Sequence, residues 1–134
     1  MKKVTGLGGI FYKVADPEKH RQWYKKHLGI ESDKYGGHFK WRDNENPKKQ
    51  CMTAWSPFDR NTNYFDPSKQ DFMINYRVEN LEKLIEILKK EGVKILGGID
   101  EFDYGKFAWI QDVDGYKIEL WEAVDEILLN TEGE

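Results

Sequence analysis

The sequence predicts an α+β domain built from two tandem β-α-β-β-β modules, and three observations carry that prediction. Apolar and polar residues alternate with strand periodicity through most of the chain, interrupted twice by segments that carry helix caps. Landmarks then recur in the same order. Tyr12-Lys13-Val14-Ala15-Asp16 matches Tyr76-Arg77-Val78-Glu79-Asn80, an offset of 64; Gly37, Phe39 and Trp41 match Gly105, Phe107 and Trp109, an offset of 68; Met52-Thr53-Ala54-Trp55 aligns with Ile118-Glu119-Leu120-Trp121, an offset of 66. Finally, residues 105–122 (GKFAWIQDVDGYKIELWE) read as two alternating arms around an Asp114-Gly115 turn, where positive φ angles close a tight hairpin.

Composition bounds the function classes. A chain of 134 residues buries a sufficient core without staples, and the single cysteine, Cys51, makes no internal disulfide. No apolar signal-type run follows Met1-Lys2-Lys3, so a cytoplasmic location is expected. The net charge of -3 and the absence of a membrane-length apolar run argue against nucleic acid and membrane as partners. Aromatic residues reach 14% in a chain that is 34% charged, so the placement of the rings becomes the main question. The expected division is 1–56 for the first module, 57–70 for a linker, 71–122 for the second module and 123–134 for an acidic tail of one frayed helical turn.

Taken in order, residues 4–14 form the first strand, with Ile10, Tyr12 and Val14 on one face and Gly9, Phe11 and Lys13 on the other. Gly6, Gly8 and Gly9 do not make a dinucleotide fingerprint, because they lie before and within a strand and not between a strand and a helix. Asp16 as cap, Pro17 and Glu18 start the first helix and Gly29 stops it; Trp23, Tyr24 and Leu28 are its expected inner face. His20 and His27 stand about 10 Å apart along that helix, too far for one metal, and read as solvated. Strands at 30–33, 37–42 and 50–55 follow, with His38 as a surface strand residue. The segment 57–70 is the longest connection and reads as a linker or lid, whose Tyr64-Phe65 pair either covers a pocket or tucks against its own domain. In the second half, strand 71–78 precedes a helix capped by Asn80, with a Leu81, Leu84, Ile85, Leu88 stripe, and strands at 93–97, 106–111 and 116–121.

The paired modules, the strand-Val14-Ala15-Asp16-Pro17-helix-Gly29 opening and the closing Asp112-Val113-Asp114-Gly115-Tyr116-Lys117-Ile118-Glu119-Leu120-Trp121-Glu122 resemble the vicinal oxygen chelate superfamily. That family includes glyoxalase I, bleomycin resistance proteins and extradiol dioxygenases. The resemblance covers nearly the whole chain and is specific for the fold, less so for an activity. It implies a curved mixed sheet forming a glyoxalase-like cup, a helix on the outside of each module, and homodimers whose cups can be completed across the interface. Metal enzymes of the family place one ligand on the first and one on the last strand of each module. Those positions correspond to Gly9, Thr53, Met73 and Glu119, of which only Glu119 suits a hard or borderline ion. A lone carboxylate with a thioether cannot hold a divalent cation, so no cofactor is expected.

Glu119 sits in an apolar arm, and a carboxylate there must face water, a partner or a ligand, because burying it bare costs too much. Alternation puts Phe107, Trp109, Lys117 and Trp121 on its face, with Met73, Asn75 and Arg77 from the strand 71–78. The corresponding face of the first module carries Phe11, Lys13, Phe39, Trp41, Thr53 and Trp55, and Tyr104 supplies a hydroxyl at the rim. These are the candidate ligand-binding residues of an aromatic-lined cup for a small aromatic or cationic molecule, in the manner of the bleomycin resistance proteins. The alternative is an enzyme of the lyase, isomerase or dioxygenase class, with Glu119 as general base or as a metal ligand and Asn75 or Arg77 steadying an oxyanion. A third reading has the rings simply packing two modules or a dimer, and Glu119 in a salt bridge with Lys13, Arg77 or Lys117.

Overall fold

The strands that join the two halves, β1 (Val4–Val14) and β4 (Phe72–Val78), run antiparallel through the middle of one eight-stranded sheet. The structure, a computed structural model, describes residues 1–132, with side chains accounted for through Leu128. On one side of the central pair lie β3 (Gln50–Asp59), parallel to β1, and β2 (Gly37–Arg42) at the edge. On the other side lie β8 (Lys117–Ala123), parallel to β4, then β7 (Gly105–Gln111), which carries the short strands β5 (Lys94–Ile95) and β6 (Asp100–Phe102). The result is an open mixed sheet curved around a cavity, with the pairing pattern of one half repeated in the other.

Both helices begin as the sequence predicts. The Asp16 carboxylate accepts from the Lys19 amide ahead of α1 (Pro17–Leu28), and Asn80 does the same for Lys83 ahead of α2 (Leu81–Lys90). Their packing differs. Helix α2 buries Leu81, Leu84 and Ile85 against Val78, Ala108 and Leu120, each worth about 1.5–3 kcal/mol of transfer free energy. Helix α1 buries no residue at all: Trp23 is 53% and Leu28 60% exposed, so the expected inner face of Trp23, Tyr24 and Leu28 fails in two of its members. Its half-buried residues are Pro17, His20, Arg21 and Tyr24, an i, i+3, i+4, i+7 stripe that polar side chains concealed from a hydrophobicity reading.

His20 is therefore not a solvated residue. Its ring lies between Tyr24 and Trp55, and its Nε2 stands 2.7 Å from the Tyr12 hydroxyl. Burial lowers the His20 pKa and raises that of Tyr12 to about 12, so the phenol donates and a neutral imidazole accepts. The unfolded chain then takes up a proton before the folded one does. This contribution is complete above about pH 6.5 and is lost as the pH falls through that value toward the lower folded-state pKa. Denaturant midpoints measured from pH 8 to pH 5 should fall for the native chain, and His20→Gln should flatten that slope.

Five other features differ from expectation. Residues 30–33 form no strand, because Asp33 and Gly36 exchange backbone hydrogen bonds across a tight turn. Strand β3 continues past Trp55 to Asp59, since Pro57 adopts extended backbone readily. Strand 93–97 shrinks to β5. In the hairpin, only Gly115 has positive φ (89°): the loop spans Asp112 to Tyr116, and the Asp112 carboxylate accepts from the amides of Asp114 and Tyr116. The tail forms helix α3 (Asp125–Glu132), longer than one turn.

Candidate functional site

The concave side of the sheet encloses a cavity of about 430 Å³. Its floor is Glu119, 3% exposed. The sheet register dictates what surrounds this carboxylate, because Asn75 of β4 and Trp109 of β7 are its direct neighbours on the two flanking strands. Asn75 Nδ2 donates to Oε1 at 2.6 Å and Trp109 Nε1 donates to Oε2 at 2.9 Å. A third donor comes from outside the sheet: the Tyr64 hydroxyl, on the loop after β3, also donates to Oε2. Burial, reinforced by the negative charge of Glu119, pushes the Tyr64 pKa well above the ordinary phenol value, which keeps that hydroxyl a donor.

Tyr64 is held in turn. Its ring stacks on Phe58 at 5.7 Å, and its carbonyl accepts from Lys117 Nζ at 2.7 Å. The Lys117 ammonium lies over the Tyr64 and Trp109 rings, and burial lowers its pKa against the opposing pull of Glu119. Among the described residues no Lys or Arg makes an ion pair with Glu119.

Gly8 explains how Asn75 fits. A Cβ built on Gly8 would lie 2.0 Å from Asn75 Oδ1 and 3.1 Å from Arg77 Cγ, so only glycine lets β1 pass this close. That Oδ1 has no hydrogen-bond partner. Gly8→Ala should push Asn75 off Glu119 and cost about 1–3 kcal/mol, read as a fall in urea midpoint at unchanged m value.

Of the residues selected from sequence, Phe11, Asn75, Tyr104, Phe107, Glu119 and Trp121 line the cavity, and Trp109 reaches it through its bond to Glu119. The others stand elsewhere. Trp55 lies under α1 against Tyr12 and Tyr24, and Phe39 is exposed. Trp41 covers Gly6 and Arg77, and donates to the Thr53 hydroxyl, which itself donates to the Leu7 carbonyl. Met73 packs with Phe11 and Phe65, and Lys13 sits over the Phe65 ring. Arg77 pairs with Asp125. The tryptophans thus occupy both sides of the sheet, and the expectation that four share one face is corrected.

The cause is a one-residue phase error in the first module. From β3 the cavity takes Met52, Ala54, Ser56 and Phe58, not Thr53 and Trp55. Cys51, Met52 and Trp55 are all buried, so β3 is apolar on both faces and its alternation carried no phase. The ladder also corrects the repeat. Phe11 pairs with Ser56 as its counterpart Asn75 pairs with Glu119, which makes Ser56, and not Thr53, the mate of Glu119.

Tyr64 is a site residue that strand alternation does not reveal. Its only signal was an aromatic pair in the longest polar connection. Asp33, Tyr35 and His38 at the rim, and Leu128 from α3, were also not selected.

The positions that the resemblance implies offer few donors to a divalent metal: Gly9 has no donor, the Thr53 hydroxyl is engaged with Leu7, Met73 is buried among apolar rings, and both oxygens of Glu119 accept hydrogen bonds. Ser56, the structural mate of Glu119, adds one hydroxyl, which donates to the Tyr35 carbonyl. Among the described residues no three His, Cys, Asp or Glu side chains come together.

No curated protein matches the chain. Among solved structures, methylmalonyl-CoA epimerase from Mycobacterium tuberculosis is similar over 96% of this chain and 95% of its own, at 20% identity and a TM-score of 0.60. The Streptomyces coelicolor methylmalonyl-CoA epimerase in complex with 2-nitronate-propionyl-CoA reaches a TM-score of 0.66 at 12% identity, over 90% and 99% of the two chains. A glyoxalase/bleomycin resistance protein/dioxygenase superfamily member from Vibrio splendidus 12B01 gives 0.55 at 15% identity, over 87% and 98%. At these identities the likeness is one of fold. The sequence profile of the Glyoxalase/Bleomycin resistance protein/Dioxygenase superfamily matches residues 6–120, from β1 into β8, and the chain belongs to that superfamily.

Proposed function

We propose that this protein binds a small, flat organic molecule, neutral or cationic, in the cup and without a metal. The observation that carries the reading is Glu119: an acid at the floor of an aromatic cavity, met among the described residues by neutral donors, in a described lining that contains no Lys or Arg. Phe107 and Trp121 stack 5.7 Å apart as one wall, and each ring face against a ligand cation is worth about 0.5–2 kcal/mol. To a carboxylate or phosphate the described lining offers no Lys or Arg, and its one imidazole is His38.

Calorimetry with benzyltrimethylammonium and with benzoate, each with and without EDTA, tests this. The cation should bind, the anion should not, and EDTA should change neither. Glu119→Gln should weaken the cation roughly tenfold, equivalent to about 1.4 kcal/mol. Equal binding of benzoate, or affinity that requires added zinc or nickel, would overturn the proposal.

One observation favours a second reading. The Tyr64 hydroxyl against Glu119 supplies the second proton-bearing group that a lyase or isomerase needs: Glu119 would take a proton from a carbon next to a carbonyl, and Tyr64 would turn its hydrogen bond to the developing oxyanion. Structural neighbours include epimerases. Deuterium uptake from D2O into a panel of carbonyl C–H acids separates the readings, because only the enzyme catalyses it. A homodimer in the cytoplasm completes our reading; sedimentation velocity tests the dimer. Among the described residues no helix is long and apolar enough to cross a membrane.

A further inference from the structure

Arg77 is buried to the same degree as Glu119 yet does not touch it. Its guanidinium lies 5.5 Å from the Trp41 ring and 5.2 Å from the Trp121 ring, donates to the Met52 carbonyl at 3.3 Å, and donates through its other nitrogen to Asp125. Trp121 and Met52 are walls of the cavity. Asp125 is the first residue of α3, and one turn later Leu128 projects into the same cavity. Helix α3 follows the region that the superfamily profile covers.

Among the described side chains of α3 and its approach, Asp125 is 5% exposed, while Val124 and Ile127 are 39% and 41% exposed. One oxygen of Asp125 holds Arg77, and the other, also buried, has no partner. A buried ion pair with one carboxylate oxygen unpartnered lacks part of the hydrogen bonding that would fix it, and elements that move to admit ligands are drawn from the low-stability end of a fold.

We propose that α3 is a gate on the cavity, latched by Asp125 on Arg77 and seated by Leu128, and that release of this latch admits and releases the ligand. The inference rests on the reading of the cup as a ligand site. Arg77 couples the two, because the same guanidinium that holds α3 also braces Trp121 and Met52. Its role is positioning: it holds the gate and two wall residues and makes no contact with the floor carboxylate.

Stopped-flow binding of the neutral fluorophore N-phenyl-1-naphthylamine to the full chain tests the gate. Asp125→Asn should raise both the association and dissociation rates roughly tenfold while leaving Kd within about threefold. Leu128→Ala keeps the ion pair and should move both rates in the same direction by less. Unchanged rates in both variants, or a weaker Kd at an unchanged association rate, would overturn the gate, the latter pattern marking a purely structural helix.

If the native chain does not take up the fluorophore, the cup reading fails and the gate is still tested by acrylamide quenching. The Trp121 contribution, taken as the difference between chains with and without Trp121→Phe, should rise at least about twofold in Asp125→Asn if the latch opens the cavity. An unchanged contribution would overturn the gate independently of any ligand.

Discussion

Glu119→Leu should melt about 10–20 °C below the native chain, while Glu119→Gln should lose only a few degrees. Leucine removes the acceptor from three donors at once: the buried Asn75 Nδ2 and the half-buried Trp109 Nε1 and Tyr64 hydroxyl. Each abandoned donor costs about 1–3 kcal/mol, and because the three share one acceptor their sum is less than additive, about 3–5 kcal/mol in all. For a chain of this length that corresponds to the stated fall in Tm. Glutamine keeps one acceptor oxygen for Trp109 and Tyr64. Its new amide would oppose Asn75 Nδ2, but the Asn75 amide can turn over and present its unpartnered Oδ1. Thermal unfolding of the two variants side by side checks the prediction, and a leucine variant within a few degrees of native would mean that the donors find other acceptors or water.

Phe65→Ala should produce the other large effect, and it should reach the site from a distance. Phe65 has no exposed surface; it packs with Phe11 and Met73 and lies 5.3 Å from the Phe58 ring. Truncation of a fully buried phenylalanine costs about 3–5 kcal/mol. Its neighbour Tyr64 depends on that anchor to bring its hydroxyl to Glu119, so ligand affinity should fall along with stability. Tyr64→Phe supplies the contrast: it deletes one hydrogen bond to Glu119, costs about 1–3 kcal/mol, and leaves the loop anchored. Urea unfolding together with benzyltrimethylammonium calorimetry on both variants distinguishes loss of the anchor from loss of the hydroxyl. Native-like affinity in Phe65→Ala would show that Tyr64 reaches Glu119 without its neighbour.

Elements are legible in the sequence where the periodic signal is unambiguous. Strand β4 alternates cleanly and helix α2 carries a clean apolar stripe, and β1, β4, α2 and the placement of Asn75 on the face of Glu119 follow from those patterns. The repeat located both modules because helix caps and glycine turns are local chemistry. The first module resisted at two points. A strand buried on both faces has no readable phase, so β3 was shifted by one residue and with it Thr53 and Trp55. Helix α1 packs through His20, Arg21 and Tyr24, which a hydrophobic stripe does not reveal. Tyr64 stayed hidden for a different reason: its bond to Glu119 spans 55 residues, and no local rule reports a contact at that separation.

The correspondence of Ser56 with Glu119 gives the cup a direction. Both line the cavity from equivalent places in the two halves, one as a hydroxyl and the other as a carboxylate. A near-symmetric vessel would accept an unsymmetric guest in either of two orientations. Here the equivalence is broken chemically while the backbone keeps it, so under the proposed function a guest would have a head and a tail, its charged or hydrogen-donating end lying with the second half of the chain.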